Sequence, residues 1–68
     1  MAQLLKDKDY DLISVIYNAS QAAEICNKYM QDAQQEGDND IQKFFEEVRE
    51  TNANLVQQGT ELLKMRLH

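Results

Sequence analysis

The chain contains no proline and only two glycines, so almost nothing in it stops a helix. Gly37 is the one strong punctuation mark. It stands in the polar run Gln34-Gln35-Glu36-Gly37-Asp38-Asn39-Asp40, where a residue that tolerates a left-handed backbone is followed at once by side chains that accept helix-starting N–H groups. That order predicts helix, tight turn, helix. Asn39 and Gln42 have the spacing of a capping box, and Asp38 or Asp40 would complement the positive end of the second helix. At the far end Lys64, Arg66 and His68 match the negative end of the same helix.

Apolar spacing supports both segments. Leu12, Ile16, Ala19, Ala23, Cys26, Met30 and Ala33 recur at steps of four and three, with Ile13, Val15, Ala22, Ile25 and Tyr29 widening the stripe. Downstream the alternation continues through Ile41, Phe45, Val48, Asn52, Leu55, Gly59 and Leu62, widened by Phe44, Thr51, Val56, Leu63 and Met65. The reading is all-α in a single domain over 1–68, with helix 1 at about 9–36, a turn at about 37–39 and helix 2 at about 40–66. Each rod is roughly 28 residues, or about 42 Å. Met1 to Lys8 read as a lead-in, with a cap at Asp7 or Asp9.

So short a break makes the rods antiparallel. Ala33 then faces Ile41, Met30 faces Phe45, Cys26 faces Val48, Ala19 faces Leu55, and Ile16 lies near Gly59, so that small residues oppose large ones. Each apolar stripe is nevertheless wider than one partner helix covers, because a two-helix seam needs only two positions in seven and a bundle about three. A second hairpin related by a two-fold axis would close a four-helix bundle, and a homodimer is the expected state. Core and dimer interface together draw on Leu12, Ile16, Ala19, Ala23, Cys26, Met30, Phe44, Phe45, Val48, Asn52, Leu55, Gly59 and Leu62.

Size and charge narrow the function classes. A 68-residue chain with one cysteine has no internal disulfide to support a small core, which leaves a metal or a partner chain. Seven Lys and Arg against twelve Asp and Glu give a net charge of -5, opposite in sign to what phosphate backbones attract. Nucleic acid is not expected. Neither is a membrane, since no apolar run approaches the ~20 residues of a span and no leader pattern opens the chain. The expected setting is the cytoplasm.

The run Ala19-Ser20-Gln21-Ala22, followed by Ala33, Glu36-Gly37, Ile41 and Phe45, resembles one helical hairpin of the rubrerythrin branch of the ferritin-like proteins, over about Leu12 to Leu63. The resemblance implies half of a ferritin-like bundle. That family holds a di-iron centre with a Glu on one helix and Glu-x-x-His on the next. Aligned through Glu36-Gly37, the first Glu position falls on Ala19, the second on Asn52 and the His on Leu55, none of which supplies a carboxylate or an imidazole. It thus implies the fold without the metal, and no cofactor is expected.

The remaining candidate residues each allow a chemical and a structural reading. Glu24 with Glu46, Glu47 or Glu50 would form a degenerate metal site if these carboxylates converged; otherwise they are a solvated face or an electrostatic docking patch. Glu36, Asp38, Asp40 and Glu47 match an EF-hand count, but Ile41 takes the place of its obligatory glycine. Cys26 lies in the seam without a neighbouring base, so it reads as packing rather than as a nucleophile, an intersubunit disulfide being the other possibility. Tyr10, Tyr17 and Tyr29 read as core and interface filler. Asn52 is a polar residue at a seam position, where pairing with its symmetry mate, Thr51 or Ser20 would set register. The functional expectation is a non-enzymatic dimeric helical protein that acts by protein–protein interaction, as an adaptor, regulator or assembly factor. The alternatives are the degenerate metal-binding protein and a subunit that completes its bundle on a different chain.

Overall fold

The computed structural model describes residues 7–67, which form two helices and no strand. Helix α1 spans Asp7–Gln35 and α2 spans Asn39–Arg66, and they pack against each other as an antiparallel hairpin. Asp7 and Lys8 belong to α1 rather than to a lead-in. The rest of that lead-in, residues 1–6, and His68 lie outside the described residues.

The turn is built from the residues that the sequence singles out. Gly37 has φ +72°, its N–H donates to the Gln34 carbonyl (3.1 Å), and the Asp38 N–H reaches back to the Ala33 carbonyl (2.9 Å). These two bonds are the Schellman closure, which satisfies carbonyls that the helix end would leave bare. Asp38 then acts twice. Its backbone closes α1, and its carboxylate Oδ1 accepts the Ile41 N–H at 3.1 Å as the N-cap of α2. The expected Asn39–Gln42 box is therefore replaced by a single N-cap bond one residue earlier, because Asp38 is the last residue with non-helical dihedrals and Asn39 is already inside the helix. Asp38→Ala should lower unfolding free energy by about 1 kcal/mol in urea denaturation. Asn39→Ala should leave it within about 0.5 kcal/mol.

The molecule measures 52 × 23 × 12 Å, so it is a single helix layer thick. Among the described residues nothing covers either broad face. Among the described residues the buried set is Asp9, Ala19, Cys26, Ala33 and Gly59, and no side chain is less than 2 % exposed. The fully buried part of the seam between α1 and α2 is thus made mainly of small groups, and its larger apolar side chains lie half in water. Ile16 lies against Gly59 and Tyr29 against Phe45, as the hairpin register requires.

Candidate functional site

Burial along α1 follows a strict alternation of three and four: Asp9, Leu12, Ile16, Ala19, Ala23, Cys26, Met30 and Ala33 are all buried or half-buried. On α2 the protected series is Phe45, Arg49, Asn52, Val56, Gly59 and Leu63. Of the thirteen residues expected in core or interface, Ala19, Cys26 and Gly59 are buried, while Leu12, Ile16, Ala23, Met30, Phe45, Val48 and Asn52 are half-buried. Phe44, Leu55 and Leu62 are not protected, at 60, 46 and 50 % exposure. In α2 the inner seam is thus rotated relative to the sequence reading, with Val56 and Leu63 turned toward α1 in place of Leu55 and Leu62. The reason is that α2 carries two apolar stripes side by side, and only one of them can face α1.

The second stripe runs Ile41, Phe44, Val48, Thr51, Leu55, Gln58, Leu62 and Met65, again at steps of three and four. Its place on the hairpin is fixed at the turn end. There Tyr29, Ala33, Ile41 and Phe45 line a cleft of about 210 Å³ rimmed by Asp32, Glu36 and Asp38. The Tyr29 and Phe45 rings lie 5.4 Å apart, and Phe44 and Phe45 6.0 Å apart, both pairs tilted. Seven-residue repeats from Tyr29 bring Ala22 and Val15 to the same side of α1, so one broad face gathers Val15, Ala22 and Tyr29 with the whole second stripe of α2. The opposite face differs. Arg49 Nη1 donates to Asn27 Oδ1 across it at 3.1 Å, and it carries Ser20, Glu24, Glu46 and Glu50, while its apolar residues Tyr10, Ile13 and Tyr17 are confined to the open end.

Asn52 is half-buried in the seam, but its partner is none of those expected. Its Nδ2 donates to the Val48 carbonyl one turn back in the same helix, at 2.8 Å. Thr60 does the same toward Val56 at 2.7 Å. A local bond of this kind satisfies the amide without specifying register. Asn52→Leu should therefore raise the unfolding free energy by about 1 kcal/mol and with it the urea midpoint, because an apolar side chain gains burial there and the Val48 carbonyl keeps its helical partner. A drop in midpoint would mean that the amide contributes more than apolar burial at this position.

Asp9 is the residue that the sequence reading misplaced. It is not an exposed cap but a buried carboxylate, 3.7 Å from Arg66 Nη1 and with Oδ1 lacking a hydrogen-bond partner among the described residues. The signal was present in the spacing, since Asp9 continues the series Ile16, Leu12 by one more step and Arg66 continues Gly59, Leu63. Cys26 is a free thiol, buried at 3 % exposure among the small residues of the seam. Glu24, Glu46, Glu47 and Glu50 stay dispersed and exposed, and no three His, Cys, Asp or Glu side chains come together as a metal site among the described residues. The acidic turn, Glu36 to Asp40, lines an open polar depression. No described helix is long and apolar enough to cross a membrane.

Comparison with protein-family models, curated proteins and solved structures found no match to this chain.

Proposed function

We propose that this chain is a protein–protein interaction module whose broad apolar face is covered by a second copy of itself, the two hairpins forming a four-helix bundle. In this reading it is a non-enzymatic adaptor, regulator or assembly factor. One observation carries the proposal: a rod 12 Å thick leaves Phe44, Leu55, Leu62 and Met65 between 46 and 75 % exposed in a single line on one face. Such lines are a hallmark of docking surfaces, and burying them supplies the apolar area that the thin hairpin seam does not.

The size of the face fits. Its 52 × 23 Å outline is on the order of 1,000 Å² per copy, against ~800 Å² per partner in a stable complex. The rubrerythrin resemblance belongs to the same proposal: a half-bundle whose ligand positions are filled by Ala19, Asn52 and Leu55 would keep the assembly and lose the metal. Sedimentation equilibrium between about 1 and 100 µM should return the mass of two chains, with helicity rising as the dimer forms. A monomer of full helicity across that range would overturn the proposal.

A further inference from the structure

We infer, building on the self-association proposed above, that the second copy lies with its turn at the opposite end of the bundle, about a two-fold axis that crosses the rods at the level of Ala22 and sets Glu36 of each copy against the partner's Lys8.

The register of the hairpin is tied down by four contacts spread along it. Asp9 meets Arg66, Ile16 meets Gly59, Asn27 meets Arg49 and Tyr29 meets Phe45, which places Ala22 level with Ala53. Along α1 and into the turn the face is made by Lys8, Val15, Ala22, Tyr29 and Glu36, one residue every second turn, and the midpoint of that series is Ala22. On α2 the stripe from Ile41 to Met65 has its midpoint between Thr51 and Leu55, which is the level of Ala53. Two stripes on different helices therefore share one centre. A surface that is its own partner under a two-fold operation must have this property, because each residue meets the mate of the one equally far on the other side of the axis.

The operation then pairs like with complementary. Val15 meets the partner's Tyr29, the small Ala22 meets its own mate at the axis, Ile41 meets the partner's Met65 and Phe44 meets the partner's Leu62. At each end of α1 the charges are opposite, Glu36 against Lys8. The other closed arrangement, with both turns at one end, brings Glu36, Asp38 and Asp40 of two copies together without an intervening cation from the turn. The apolar area buried is the same in both, so charge decides between them.

Two measurements test the orientation. Spin labels on Asn39→Cys in a Cys26→Ala background should lie about 50 Å apart across the dimer, close to the 52 Å length of the rod. A distance below about 25 Å, a little over two helix diameters, places the turns together and overturns the inference. On the chain with its native Cys26, Glu36→Lys and Lys8→Glu form a charge-swap cycle read as the dimer dissociation constant. The double variant should bind at least about 5-fold tighter than the two single effects multiplied together predict, since two exposed ion pairs are restored per dimer. The same cycle with Glu47→Lys, on the outer face, should multiply without coupling. Coupling equal in the two cycles overturns the Glu36–Lys8 pairing even if the dimer exists, whereas a wild-type monomer at every concentration overturns the self-association on which the inference rests.

Discussion

Leu55→Glu combined with Leu62→Glu is expected to leave the protein monomeric at 100 µM, with a dissociation constant at least about 1,000-fold above that of the native chain. Both leucines stand about half exposed in the hairpin, so the change costs little inside one chain. Glutamate also has nearly the helix propensity of leucine, which keeps α2 itself in balance. In a two-fold dimer the loss is doubled. Four leucine side chains worth about 1.5 to 3 kcal/mol each leave the interface, and four carboxylates enter it on molecules that already carry a net charge of -5 each. Asn54→Glu with Gln57→Glu, off the apolar face of the same helix, adds the same charge and should leave the dimer within about 10-fold of native, because charges outside an interface act only through screened repulsion. Sedimentation equilibrium on the three proteins decides it. Equal dissociation constants for the two double variants would remove the apolar face from the function.

The contrast between those variants also shows where sequence reasoning stopped. The antiparallel pair of helices was legible, because Gly37 and the polar residues after it leave the backbone one economical way to turn, and the structure uses it. The seam of α1 was legible for the same reason: its buried residues keep a single spacing from Leu12 to Ala33. On α2 the spacing is ambiguous. Val48 and Val56, or Leu55 and Leu63, satisfy helical periodicity equally well, and a pattern of apolar residues gives a direction only when one stripe is clearly greasier than its neighbour. The alternation counted from Ile41 puts Leu55 and Leu62 inward, and the packing of Gly59 on Ile16 turns the helix so that they face out. Asp9 was missed because a carboxylate in the first turn of a helix has a sufficient local explanation, the dipole, and its burial depends on Arg66 at the other end of the chain.

The exposed face and the thin seam are one physical fact. Ala19, Cys26, Ala33 and Gly59 let the two helices approach closely, but small side chains bury little apolar area. Larger groups such as Phe44 and Met65 are displaced to the flank, where a single layer cannot cover them. A chain of this length stabilised only by that seam would sit near the margin of folding, so under the proposed self-association the residues that let the hairpin close are also those that leave it to gain from a second copy.

Gly59→Ala should test that close approach with an effect whose sign depends on the opposite helix. In the middle of a helix, glycine is about 1 kcal/mol worse than alanine, so on propensity alone the substitution stabilises. Here a Cβ would stand 2.7 Å from Ile16 Cγ1 and 3.1 Å from Ile16 Cδ1. Cγ1 is attached directly to a β-branched carbon, whose rotamer in a helix is nearly fixed, so it has no room to swing aside and the backbones must separate. Overpacking of this kind costs about 1 to 3 kcal/mol, which outweighs the propensity gain, and the native chain should lose about 1 kcal/mol or more in urea denaturation. Leucine at the same position, four carbons instead of one, is expected to prevent the hairpin from closing. Ile16→Ala removes the obstructing atoms at a cost of its own, about 2 to 5 kcal/mol from lost burial, and a double-mutant cycle cancels that cost. In that background Gly59→Ala should be stabilising by up to about 1 kcal/mol, a reversal of sign that neither propensity nor a general softening of the fold produces. A gain in midpoint from Gly59→Ala in the native background would show that α1 and α2 are not in contact at this level, and the rotation of α2 that exposes Leu55 and Leu62 would lose its cause.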